Sequence, residues 1–141
     1  MDLRKVNELT DVILGAAIKV HRALGPGLLE SAYIACLVYE LHRLGLPIKT
    51  QRKLPLEYGD IRLDCGYRLD IVVDGLVILE IKSTRRLAPI HTAQVLTYLR
   101  LTGCPVGLLI NFNVILLKHG IRRLLNPRAH EDLLTRRSPQ R

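Results

Sequence analysis

The sequence predicts an α/β fold, with a central mixed β-sheet flanked by α-helices. Three observations carry that prediction. Apolar residues recur at three- and four-residue steps at the start of the chain. Between Ile48 and Lys82 the pattern shifts toward period two. Two short aliphatic runs, Leu76 to Ile81 and Val106 to Asn111, then read as strands buried on both faces. The order helix, helix, strands, helix, strand places helices over a sheet.

Taken in order, Val6, Leu9, Ile13, Ala16, Val20 and Leu24 give a helix with one apolar face, and Gly25-Pro26-Gly27 stops it. A second helix runs from Leu28 to Leu44, with Gly45 as a suitable C-terminal cap and Pro47 forbidding continuation. Leu54, Leu56 and Tyr58 alternate before a Gly59-Asp60 turn. Leu69, Ile71 and Val73 alternate before Asp74-Gly75, a strong hairpin signal. A third helix spans Pro89 to Leu101, opened by the proline and closed by Gly103. Val114 to Lys118 is a candidate last strand, leading into a basic tail. The resulting division is a domain over 1–125 and a basic tail over 126–141.

The 141 residues suit one core, and the 48% hydrophobic fraction can fill it. Aromatic residues make up only 4%, so aliphatic side chains must do the packing. Lys and Arg number 21 against 13 Asp and Glu, a formal charge of +8, which points toward a polyanionic partner. Cys36, Cys65 and Cys104 show no zinc-ligand spacing and read as buried thiols of a reducing cytosol, so the expected location is cytoplasmic. The N-terminal segment lacks a signal-peptide apolar block. The Val106–Leu117 stretch is too short and too polar to cross a membrane.

Two acids and a lysine interrupt otherwise apolar strands: Asp70 in YRLDIVV, and Glu80 and Lys82 in VILEIKS. Glu80 and Lys82 are two apart and share a face. Charges in a buried strand are costly unless paired or metal-bound. One reading is a structural salt bridge. The other is phosphodiester hydrolysis, where a hard cation held by carboxylates neutralises phosphate and acidifies a water, while Lys82 positions that water or stabilises the developing charge. The second reading carries a geometric condition. A plain two-residue Asp74-Gly75 loop would put Asp70 and Glu80 on opposite faces. A shared ion therefore requires an odd-length loop or a bulge, with Gly75 suited to positive φ.

Glu30 and Tyr33 share a face at the start of the second helix. Glu30 either supplies a third acid or simply favours the helix N-terminus. On the third helix, His91, Gln94 and Tyr98 form a polar stripe. It is either a solvated face or a set of groups that grip phosphate, hold water or stack on a base.

The segment Gly27-Leu28-Leu29-Glu30-Ser31-Ala32-Tyr33 resembles the motif of the GxxExxY proteins, a bacterial and archaeal group within the PD-(D/E)XK nuclease superfamily. The resemblance extends through VHRALGPG, YRLDIVVDGLVILEIKS, HTAQVLTYLRLTG, VGLLINFNV and KHGIRR, from the first helix to about Arg123. It implies a restriction-endonuclease-like core with Mg2+ or Mn2+ at the strand ends. It further implies that Asp70, Glu80 and the Ile81 carbonyl are metal ligands, with Glu30 an additional acid. Lys82 becomes the catalytic lysine, and Gln94 and Tyr98 match a QxxxY motif. Leu69 stands where the superfamily motif often has proline.

The expected function is a metal-dependent nuclease hydrolysing DNA, with DNA favoured over RNA and a homodimer possible. Lys49, Arg52, Lys53, Arg85, Arg86 and the tail arginines are candidate backbone contacts. The alternative is a catalytically silent nucleic-acid-binding or protein-interaction module on the same fold.

Overall fold

The computed structural model describes residues 2–128, and residues 129–141 of the expected basic tail lie outside them. The first helix, α1 (Leu3–Leu24), starts where the Asp2 carboxylate accepts from the backbone N–H groups of Arg4 and Lys5. The second, α2 (Glu30–Arg43), begins two residues later than its apolar pattern, because Leu28 lies in a bend and Leu29 is extended, both of them exposed.

A five-stranded sheet follows, in the order β1-β4-β5-β6-β7: β1 (Ile48–Lys53), β4 (Arg68–Val73), β5 (Val77–Lys82), β6 (Val106–Asn111) and β7 (Ile121–Leu125). The β5–β6 pair is parallel and the other three are antiparallel, so the sheet is mixed. The third helix, α3 (Pro89–Thr102), makes the crossover that a parallel pair requires. A separate hairpin, β2 (Leu56–Tyr58) with β3 (Ile61–Leu63), stands off the main sheet. Pro55 separates it from β1, so Leu54 of the Leu54–Tyr58 alternation lies outside both strands.

Helices cover both faces. On one, α1 and α2 bury Ile13, Val20, Tyr33 and Leu37 against Ile71, Leu79, Leu108 and Ile110. On the other, Val95, Tyr98 and Leu99 of α3 pack on Val72, Ile78 and Leu109. Gly107 of β6 makes this second contact close. A Cβ there would lie 2.7 Å from Val95 Cγ1, so the missing side chain brings α3 down onto the sheet. β5, central and covered twice, is buried from Val77 to Ile81.

Two expectations are corrected. Val114–Lys118 is not a strand. The Asn111 side-chain oxygen accepts from Asn113 N–H, the chain bends, and a 3-10 turn occupies Leu117–Gly120. The last strand is β7, whose consecutive arginines Arg122 and Arg123 mask its alternation. The three cysteines are not all buried: Cys104 is, Cys36 is half-buried, and Cys65 is exposed after β3. Asn126, the first residue assigned to the tail, is 2% exposed. Its side-chain amide donates to the Leu99 and Cys104 carbonyls, which ties it to the domain.

Candidate active site

The connection between β4 and β5 decides whether the acids can cooperate. Register pairs Val73 with Val77 and Ile71 with Leu79, leaving a three-residue loop of Asp74, Gly75 and Leu76. Asp74 and Gly75 adopt φ of 52° and 64°, and Leu76 N–H donates to the Val73 carbonyl at 2.9 Å. This is a tight turn with one residue added. The added residue shifts register by one, so Asp70 stands opposite Glu80 and both point to the same face.

The regular ladder stops just short of this pair, and the carboxylates take over its hydrogen bonds. Asp70 N–H donates to Glu80 Oε1 at 3.3 Å, and Ile81 N–H donates to Asp70 Oδ2 at 2.9 Å. The N–H and C=O of a strand residue point to the same side, so the Ile81 carbonyl also faces β4, where the pairing has ended. Across β4, Gln51 of β1 carries a left-handed φ of 49°, an uncommon conformation for a non-glycine residue.

Electrostatics follow from the burial. Glu80 is 5% exposed, and its pKa is pushed up to about 8, first by burial and then by the charge of Asp70. The hydrogen bond from Asp70 N–H and the charge of Lys82 act against that rise, and Glu30 adds to it. Asp70 is raised as well. Burial again dominates, opposed by the Ile81 N–H and by Lys82 and reinforced by Glu30. Lys82 lies on the Glu80 face, half-buried, and no ion pair joins it to either acid. Among the described residues the ion pairs are Lys5–Asp74 and Lys19–Glu40. Lys82 therefore acts on the two acids through its charge at longer range than a direct ion pair.

The loop before α2 brings Glu30 within electrostatic reach of both acids. Tyr33 fixes that loop. Its hydroxyl donates to the Gly25 carbonyl at 2.6 Å and accepts from Leu28 N–H at 3.1 Å, and its fully buried ring stacks on Phe112 with centroids 4.5 Å apart. The Ser83 hydroxyl donates to the Leu28 carbonyl, tying the same loop to the end of β5. Tyr33 is thus a hook for the loop and takes no part in the acid cluster. On α3, Tyr98 is buried and its pKa is raised, mainly by burial and then by Glu80, Tyr67 and Asp70. Gln94 lines the same hollow as Tyr98. His91 instead turns to the helix start, where its Nδ1 accepts from Ala88 N–H.

One residue of the site region escaped sequence reasoning. Asn111 is 2% exposed. Its side chain accepts from Thr84 N–H and donates to the Thr84 carbonyl, clamping the chain just beyond Lys82. Its signal was the one that flagged Glu80, a polar residue inside an aliphatic strand.

A family model for the PD-(D/E)XK nuclease superfamily matches residues 7–124. The chain belongs to the PD-(D/E)XK nuclease superfamily. No curated protein and no solved structure matches it. The mixed sheet with helices on both faces is consistent with the restriction-endonuclease-like fold of that superfamily.

Two facts bear on whether a divalent cation fits this superfamily member. Among the described residues, no group of three His, Cys, Asp or Glu side chains forms a ready metal cage. Two facing carboxylates and a backbone carbonyl are nevertheless hard oxygen donors of the type that Mg2+ and Mn2+ prefer. Their raised pKa values reflect anions crowded into a buried position, a penalty that a bound cation removes. The donor set fits.

Proposed function

We propose that this protein is a divalent-metal-dependent nuclease that hydrolyses phosphodiester bonds in DNA, and that within its superfamily it is a GxxExxY protein. The observation that carries the reading is the opposition of Asp70 and Glu80 on one buried face, with Lys82 next along it. In this reading Asp70, Glu80 and the Ile81 carbonyl would hold the ion, and Glu30 adds negative charge at the rim. When bound, such an ion neutralises the scissile phosphate and lowers the pKa of a water.

The chain's own groups do the rest. Lys82 directs its ammonium to the face where the phosphate sits, orienting the attacking water and balancing charge as it develops. The Gln94 amide donates to a phosphate oxygen. Tyr98, with its raised pKa, stays protonated and remains a donor. The net charge of +8 favours a nucleic-acid partner. Among the described residues, no helix is long and apolar enough to cross a membrane.

The test is a cleavage assay with Mg2+ or Mn2+ on single-stranded, duplex, nicked and branched DNA, with RNA for comparison. Metal-dependent cleavage lost in Lys82→Ala supports the reading. Binding without cleavage of any substrate by the wild type would return the chain to a silent binding module.

A further inference from the structure

Two hollows adjoin along the outer side of α3. The first, about 300 Å³, is lined by Tyr67, Tyr98, Leu56, Ile90 and Gln94. It is mostly apolar, and it opens beside the acid cluster because Tyr98, which lines it, lies within electrostatic reach of Glu80 and Asp70. Tyr67 is 44% exposed and Ile90 is 69% exposed, so large apolar surfaces stand open next to a polar centre. The second hollow, about 670 Å³, is lined by Arg52, Lys53, Arg100 and Arg128, with Glu57 its one acid. Thr97 and Leu101 line both, so the two are immediate neighbours. Arg52 and Lys53 enter from the end of β1, Arg100 from α3, and Arg128 from the chain beyond Asn126. Residues distant in sequence thus make one cationic cleft.

We propose that these hollows form a track for an unpaired nucleic-acid strand, with one base against Tyr67 in the apolar hollow and the following phosphates in the Arg52–Arg128 cleft. The proposal rests on the nuclease reading and names the substrate class for it. The chemistry of the walls argues for it. A base has an apolar π-face that suits Tyr67, Leu56 and Ile90, and its own phosphates need the cations next door. A base paired within a duplex must be flipped out of its stack to enter a side hollow, at a cost of a few kcal/mol that an unpaired base does not bear, so the favoured occupant is unpaired. Four cations against one carboxylate select a polyanion over an apolar ligand.

The experiment measures binding to the full chain in EDTA by fluorescence anisotropy. The probes are labelled oligo-dT and oligo-rU of about 12 nucleotides, a length within the usual range for one single-strand site, and a DNA duplex of the same length. Both single strands bind more tightly than the duplex, and a preference between them identifies the natural sugar. Tyr67→Ala weakens single-strand binding by about 5- to 150-fold, Tyr67→Phe restores it, and neither alters the salt dependence. Arg100→Ala with Arg128→Ala lowers the slope of log K against log salt by about 1.4, two phosphates' worth for a single strand. Unchanged thermal melts confirm that these surface variants fold. Equal affinity for the duplex, or unchanged single-strand affinity in both sets of variants, overturns the track. Cleavage is scored separately. Single-strand binding without cleavage sinks the nuclease reading alone, and cleavage with a duplex preference sinks the track alone.

Discussion

Replacing Glu80 by Gln should make the metal-free protein more stable at alkaline pH. The reason lies in the facing carboxylates. Glu80 is buried beside Asp70, and its pKa rises from 4.5 to about 8. The folded state therefore holds a proton that the unfolded chain has already released. Its contribution to stability is complete below about pH 4.5 and is lost as pH rises through 8. At about 1.4 kcal/mol for each tenfold change in proton affinity, the loss is on the order of 5 kcal/mol. That is a large share of the roughly 5–15 kcal/mol that holds a domain folded. Glutamine keeps the shape, and its oxygen still accepts from Asp70 N–H, but it never ionises. Urea denaturation in EDTA at pH 5 and pH 9 reads the difference. Wild type and Glu80→Gln match at pH 5, and the variant is several kcal/mol more stable at pH 9. Added Mn2+ then stabilises the wild type, by about 2.7 kcal/mol at a hundredfold excess over Kd, and does so much less in the variant. A wild type whose stability is flat from pH 5 to 8.5, or a variant weaker than wild type at pH 9, would refute the electrostatic account of this pair.

Three further outcomes follow from the same structure. Lys82→Ala should lower the cleavage rate by about 10²- to 10³-fold, the scale for losing one preorganised charge donor, with little change in the melt because among the described residues Lys82 forms no ion pair. Tyr33→Phe keeps the stack on Phe112 but leaves the Gly25 carbonyl and Leu28 N–H without their partner, costing about 1–3 kcal/mol in denaturation. It should also slow cleavage by loosening the loop that presents Glu30. Gly120→Ala should prevent stable folding or cost more than about 4 kcal/mol, because its Cβ would fall 2.1 Å from the Asn111 backbone oxygen; soluble yield and thermal melting measure it.

Much of the fold was legible because burial writes itself into periodicity. β5, covered on both faces, is an unbroken aliphatic run, and a charge within such a run stands out. That is how Glu80 and Lys82 were found, and Asp70 with them. An odd-length loop or a bulge could also be required in advance, since with period two a plain two-residue loop puts Asp70 and Glu80 on opposite faces. β7 was missed because an edge strand exposes most of its residues, and Arg122-Arg123 erases the alternation. The Val114–Lys118 strand was expected because five mostly apolar residues look the same whether extended or turned. In the structure the chain bends after Asn111, whose side chain accepts from Asn113 N–H, and turns at Leu117–Gly120.

The sequence by itself determined the α/β class, the three helices to within two residues at their ends, and the residue types of the cluster, since each depends on neighbours within a few positions along the chain. Only the tertiary structure decided what the cluster became. It showed that Asp70 and Glu80 exchange hydrogen bonds with each other's strands, and that Tyr33 is a hook for the Glu30 loop. It also showed that Arg52, Arg100 and Arg128 share a cleft. Such features join residues that are far apart in the chain. They arise when the sheet pairs and α3 seats on Gly107, and no local pattern encodes a distance of that kind.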